Sequence, residues 1–184
     1  MISSVSFGAL PPKTHYVSKN LIVGASLKIS QLRQLRNEEE VSRVIDLRNG
    51  RHARRLKEFL VCKLLGIDYN SRPMKIGDKL PLVKDEFEKI HSLISGNTQG
   101  KTFVHCNNGL HRSMLVAAFE EFKAGRIRSF EELSEFLKNG NYFKLRKEIK
   151  IQDGKAIKMY PEEAAMKRGN LEYQKRAFWK MVNA

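Results

Sequence analysis

Val104-His105-Cys106-Asn107-Asn108-Gly109-Leu110-His111-Arg112-Ser113 is the stretch that decides how this chain is read. Before it stands the apolar run Thr102-Phe103-Val104-His105, which predicts a strand. After it, from about Arg112, Leu115, Ala118, Phe119 and Phe122 recur at helical spacing. A loop entering a helix presents backbone N–H groups that no intrahelical carbonyl accepts. Those groups, with the helix dipole, form a cradle for a phosphate dianion. Gly109 allows the positive φ that so tight a loop requires. Arg112 offers a planar fork that holds two phosphoryl oxygens and stabilises charge in a transition state. The same field acts on Cys106. A thiol at a helix N-terminus falls from a free pKa near ~8.5 into the range ~3.5–7.5, giving a thiolate at neutral pH that attacks phosphorus. Ser113 places a hydroxyl where it can hydrogen-bond that thiolate.

The flanking sequence predicts the scaffold. Tyr16-Val17 and Leu21-Ile22-Val23 read as short strands around a Ser18-Lys19-Asn20 turn, and Ser30 as the cap of a short helix to about Asn37. Val44-Ile45-Asp46-Leu47 is a compact strand. Leu56, Phe59, Leu60 and Leu64 form a helical stripe stopped at Gly66, and Ile67-Asp68-Tyr69 is another strand. Val83, Phe87, Ile90 and Ile94 make a further helix. Strands alternating with helices predict an α/β fold with a central, largely parallel sheet flanked by helices. Ser129 and Glu132 form a capping box for a helix over 130–138. Past Gly140 the pattern changes. Ile149, Ile151, Ile157 and Met159 flank the hairpin signal Asp153-Gly154, and Pro161 opens a last helix to about Val182 that Gly169 weakens at its middle. Residues 1–14 are therefore expected to be a loose lead-in, 15–140 the core, and 141–184 a hairpin-plus-helix appendage packed on it.

Composition narrows the classes of function. A hydrophobic content of 41% excludes global disorder. No apolar run approaches the ~20 residues that span a bilayer, and Met1 to Leu10 make a poor secretory signal. The net charge is +14, and residues 138–184 hold 12 Lys and Arg against 5 Asp and Glu. Such an excess favours an acidic partner. The basic tail lacks interleaved aromatics, so nucleic acid is not the expected one. The two cysteines, Cys62 and Cys106, give no disulfide framework, and a free catalytic thiol suits a reducing, cytoplasmic compartment; export as an effector is left open. The five scattered histidines show no metal-binding spacing, so neither metal nor cofactor is expected.

His105-Cys106, Gly109 and Arg112-Ser113 match the H-C-x-x-G-x-x-R-S/T signature, and on these residues the chain resembles the protein tyrosine and dual-specificity phosphatases, in their compact atypical form. The resemblance covers roughly residues 15–138, with Val17 to Ala25, Val44 to Arg48 and Gly66 to Met74 similar to that family's successive strands. It departs at Met114, where many members carry glycine. It implies a dual-specificity-like fold and hydrolysis of phosphate monoesters through a phosphocysteine. Cys106, Arg112 and Ser113 are the implied catalytic residues. His105, Asn107, Asn108, Gly109, Leu110 and His111 line the implied substrate loop. His105 orients that loop, and His111 is either substrate-facing or simply exposed. The family also supplies an aspartate acid from a loop ahead of the helix that precedes the cysteine strand. Here that loop runs from Ser71 to Pro81, and Asp78 is its one carboxylate, with Asp85 as runner-up.

Arg48, Arg51, His52, Arg54 and Arg55, together with Arg72, Lys75 and Lys79, are expected on the same rim as Cys106, because ligands of open α/β sheets bind beyond the carboxyl ends of the strands. Arg51, Arg54 and Arg55 are the candidates for binding a polyanionic substrate. Asp46 is expected to be structural and Cys62 a core cysteine, or else a partner for an oxidised Cys106. The expected substrate is a phosphorylated protein or an inositol polyphosphate. The alternatives are a rhodanese-type sulfur transferase and a catalytically inactive phosphate-binding module.

Overall fold

The computed structural model describes residues 14–50, 52–74, 82–109, 111–139, 149–152, 155–158 and 161–184, with side chains placed for all of these except 52 and 149–171. The elements run β1 (Thr14–Ser18), β2 (Leu21–Ala25), α1 (Ile29–Glu38), β3 (Val41–Asp46), α2 (His52–Leu64), β4 (Asp68–Ser71), α3 (Lys84–Ser95), β5 (Lys101–Cys106), α4 (Arg112–Lys123), α5 (Phe130–Asn139), β6 (Ile149–Gln152), β7 (Lys155–Lys158) and α6 (Pro161–Asn183). The first five strands form one sheet in the order β1-β2-β5-β3-β4. Only the β1–β2 pair is antiparallel; β2, β5, β3 and β4 run parallel. This is the α/β architecture that the alternating pattern predicts. β6 and β7 form the expected antiparallel hairpin, its Asp153-Gly154 turn lying outside the described residues.

Side-chain alternation along the strands divides the core in two. Leu21, Val23, Ile45, Leu47, Val104 and Cys106 face α3, α4, α5 and α6, while Ile22, Val44 and Phe103 face α1 and α2. On the first side Phe87 packs against Phe119 at 5.3 Å and Phe178 at 5.7 Å between ring centroids. The end of α6 thus reaches into the main core, where Phe178 and Val182 are buried. α6 continues through Gly169 as one helix.

Local signals account for two of the expected element ends. Gly66, at φ +65°, follows the end of α2. The Ser129 hydroxyl accepts from Glu132 N–H at 3.2 Å and caps α5. Ser30 does not cap α1: the helix begins at Ile29, and the backbone N–H of Lys28 donates to Gln31 Oε1 at 2.9 Å instead.

α2 is the helix expected from its stripe, ending ahead of Gly66. Its apolar stripe does not pack inward: Leu56, Phe59, Leu60 and Leu64 are 59%, 41%, 49% and 86% exposed. The opposite face is buried, and it carries Glu58 and Cys62.

Candidate active site

Cys106 is the last residue of the central strand β5, and Arg112 is the first of α4. The loop between them folds over the end of β2. Asn108 makes an isolated antiparallel bridge with Ala25, and Ser26 N–H donates to the Asn107 carbonyl at 3.4 Å. Gly109 has φ +69°, and a Cβ there would lie 2.5 Å from Ala25 N and 2.7 Å from Gly24 C. Glycine is therefore required for its conformation and for its clearance from backbone that cannot move aside. Asn107 and Asn108 are exposed, as is His111 at the turn into α4. Leu110 lies outside the described residues.

Cys106 is buried in this loop, and its Sγ lies 3.5 Å from Ser113 Oγ. Burial opposes ionisation of the thiol. The Ser113 hydroxyl and the backbone N–H groups of Ser113, Gly109 and His111 outweigh it, holding the Cys106 pKa below its ordinary value. Cys62 shows the contrast. It is buried with no such donors and faces the charges of Glu58 and Asp46, so its thiol is pushed up to about 12. It is the inert core cysteine of the two, and both are free thiols.

Arg112 is held from outside the loop. Its Nη1 donates to the Leu47 carbonyl at 2.8 Å and to the Met74 carbonyl at 3.5 Å. Both anchors lie just beyond strand ends, Leu47 after β3 and Met74 after β4. They are themselves linked, Met74 N–H donating to Leu47 O at 3.2 Å and Arg72 N–H to Asp46 O at 2.9 Å. The guanidinium is thus oriented by the sheet edge, a constraint that the loop sequence does not carry.

Beneath the loop lies a second polar layer. His105 points to the opposite face of β5 from Cys106, stacks on Phe103 at 5.3 Å, and is fully buried. Its Nε2 lies 3.0 Å from Glu58 Oε1 and 3.9 Å from Asp46 Oδ1, and its Nδ1 is 3.4 Å from the Cys106 carbonyl. Arg48 donates to Asp46 at 2.8 Å through both Nε and Nη2 and also pairs with Glu58. Tyr69 donates to Asp46 at 2.7 Å. Two buried carboxylates stand against one guanidinium, an imbalance that favours a proton on His105. Burial opposes that proton, but the Glu58 contact and the charges of Glu58 and Asp46 raise the His105 pKa. Burial likewise opposes ionisation of Asp46, while the Arg48 hydrogen bond, the His105 charge and Tyr69 hold its pKa down.

Asp46, Glu58 and His105 place possible ligand atoms within 4.8 Å of one another. The Arg48 guanidinium already bonds both carboxylates, which makes the cluster an ion-pair network rather than a cation site.

Two sequence expectations change here. Arg48 is not on the rim: it is buried in this network. His105 touches no substrate surface, because the alternation of β5 turns it to the far side of the sheet. Glu58 is the residue that sequence reasoning missed. Its signal was a lone carboxylate on the face of α2 opposite the leucines. Of the rim arginines, Arg55 donates to Ser71 Oγ at 3.2 Å, beside exposed Arg72 at the end of β4. Arg54 is exposed on α2, Arg51 lies outside the described residues, and His52 is described in its backbone alone. Asp78, Lys75 and Lys79 also lie outside the described residues. Asp85 sits exposed in the first turn of α3.

No family model matches the chain, and no curated protein matches it. Solved structures do match its fold. The core catalytic domain of the PP-IP phosphatase SIW14 from S. cerevisiae, in complex with citrate, aligns at TM-score 0.63 and 14% identity, over 75% of this chain and 81% of that one. A variant of P. aeruginosa TpbA in complex with pTyr aligns at TM-score 0.59 and 15% identity, over 76% and 82%. A mutant form of Tk-PTP aligns at TM-score 0.62 and 14% identity, over 94% and 99%. The chain therefore has the fold found in cysteine-based phosphatases.

Proposed function

We propose that this chain is a cysteine-dependent phosphatase that hydrolyses phosphate monoesters through a phosphocysteine intermediate. One observation carries the reading: a thiol 3.5 Å from the Ser113 hydroxyl and facing the N–H groups of Gly109, His111 and Ser113, all of which favour its thiolate, at the entry of a helix whose first residue is an anchored arginine. In the first step the Cys106 thiolate attacks phosphorus, the S–P bond forms and the P–O bond to the leaving group breaks. The departing oxygen takes a proton from an acid, for which Asp78 is the candidate and Asp85 the runner-up. Arg112 and the loop N–H groups bind the equatorial oxygens as charge builds on them. In the second step water attacks phosphorus, its proton passing to the carboxylate that gave one up in the first step; the S–P bond breaks and the thiolate returns, stabilised by the Ser113 hydroxyl.

Two substrate classes follow from the chemistry. The loop can cradle one phosphoryl group, and Arg55 and exposed Arg72 at the end of β4 favour a polyanion. Among the similar structures, SIW14 is a PP-IP phosphatase and TpbA was captured with pTyr. Both a phosphorylated protein and an inositol polyphosphate are therefore proposed substrates for this chain. The test is phosphate release from phosphopeptides, inositol polyphosphates and an aryl phosphate, with Cys106→Ser alongside. Turnover by the wild type and none by Cys106→Ser supports the reading, and the preferred substrate assigns the class. Substantial turnover by Cys106→Ser overturns it. Sulfur transfer from thiosulfate to cyanide, with no phosphate release, would assign the rhodanese alternative.

A further inference from the structure

α2 lies in the fold with its apolar stripe outward. At roughly 100° per residue, Leu56, Leu60 and Leu64 form one ridge and Phe59 its shoulder. Leu64, at 86% exposed, stands almost free of the protein. Four large apolar side chains contiguous on one helix are not the scattered exposure normal for a folded surface. Nor is this face a failed core, since the inward face of the same helix is committed to Glu58 and Cys62, both buried.

The charges on α2 show what covers the ridge. Its exposed ionic residues are Arg54, Lys57 and Lys63, and its one carboxylate, Glu58, is turned inward. Among the described residues none of these three cations is paired with a carboxylate. The exposed carboxylate of neighbouring β4, Asp68, is held by Arg43 at 2.7 Å. A convex leucine ridge flanked by uncompensated cations matches the interfacial amphipathic helix, whose leucines and phenylalanines enter the acyl boundary while lysines and arginines meet anionic headgroups. A second copy of the chain would oppose like charges across the contact. A partner protein would have to present an acidic apolar groove to receive this ridge.

We infer that the outer face of α2 docks the protein on an anionic lipid surface, Leu56, Phe59, Leu60 and Leu64 entering it and Arg54, Lys57 and Lys63 holding headgroup phosphates or carboxylates. α2 begins at the same end of the sheet as the Cys106 loop. The inference is independent of turnover and stands or falls on binding alone.

Full-length protein is sedimented with vesicles of phosphatidylcholine, and with vesicles containing about 30% phosphatidylserine. Wild type is expected to partition about a hundredfold more strongly to the anionic vesicles, the gain that three cations near such a surface supply, and to weaken as salt rises. Lys57→Glu with Lys63→Glu is expected to lose most of that gain. Leu60→Ser with Leu64→Ser keeps every charge and is expected to lose about tenfold or more, because apolar burial is removed. All four residues are exposed, and an unchanged thermal melt shows that each variant is folded. Equal binding by the wild type and the leucine variant overturns the inference, leaving only a diffuse basic surface. A dimer that Leu64→Glu dissociates, with no vesicle binding, overturns it in favour of a second copy. Capture of an acidic amphipathic peptide with no vesicle binding overturns it in favour of a protein partner.

Discussion

Glu58→Gln isolates the buried charge layer under the loop. The change keeps side-chain volume and removes one of two buried carboxylates. Glu58 pairs with Arg48 and lies 3.0 Å from His105 Nε2, and the side chains of Arg48, Glu58 and His105 are 8%, 6% and 0% exposed. Breaking a buried pair from one side costs about 3–5 kcal/mol, because the stranded charge stays buried. The loss should depend on pH. Protonated His105 is favoured by folding, so its contribution is complete below the unfolded histidine pKa of ~6.5 and disappears as pH rises through the raised folded value. Each unit of that rise is worth ~1.4 kcal/mol. Glu58→Gln should therefore destabilise by about 3–5 kcal/mol at pH 6. At alkaline pH, where wild type has itself lost the imidazolium, the difference should shrink to about 1.5–3 kcal/mol, the size of a lost hydrogen bond to a charged group. Urea denaturation of both proteins across this range measures it. ¹⁵N spectra of His105 should show both ring nitrogens protonated at neutral pH in the wild type alone. A pH-independent difference, or a neutral His105 in wild type at pH 6, would refute the charge-balance argument.

Gly109→Ala adds a Cβ within 2.7 Å of two backbone atoms of β2 at a positive φ. It should destabilise by about 2–5 kcal/mol, combining left-handed strain with overpacking, and weaken binding of inorganic phosphate in a titration. Ser113→Ala removes the hydroxyl 3.5 Å from Cys106. The pH midpoint of Cys106 alkylation should move up, since that bond favours the thiolate, and turnover should fall by ~10²-fold, as for one lost transition-state donor; an unmoved midpoint would show that the backbone N–H groups suffice. Asp78→Asn should lower turnover ~10²–10⁴-fold on phosphoserine or inositol substrates and much less on an activated aryl phosphate. If it behaves as wild type on both, Asp85 is the next acid to replace.

Residues that act together here are mostly adjacent in the chain, which is why so much of the site was legible. Cys106, Gly109, Arg112 and Ser113 lie within one strand–loop–helix unit, and strand, loop and helix each have a local signature. Gly109 could be assigned a positive φ from the tightness of the loop, and the structure has it at +69°. The alternation of strand and helix predicted the sheet class in the same way.

Tertiary structure decided what depends on which side faces in. Helical spacing groups Leu56, Phe59, Leu60 and Leu64 on one face but does not say that this face turns outward. The inward face instead meets Asp46 and Arg48 at the end of β3 and His105 of distant β5, and sets Glu58 against them. Strand alternation likewise separates neighbours: His105 and Cys106 are adjacent in sequence yet serve opposite faces of β5, one in the ion-pair layer and one in the loop. Arg112 repeats the lesson at long range. Its place in the loop is local, but its orientation comes from the carbonyls of Leu47 and Met74, 65 and 38 residues earlier, which only the packing of three parallel strands brings beside it.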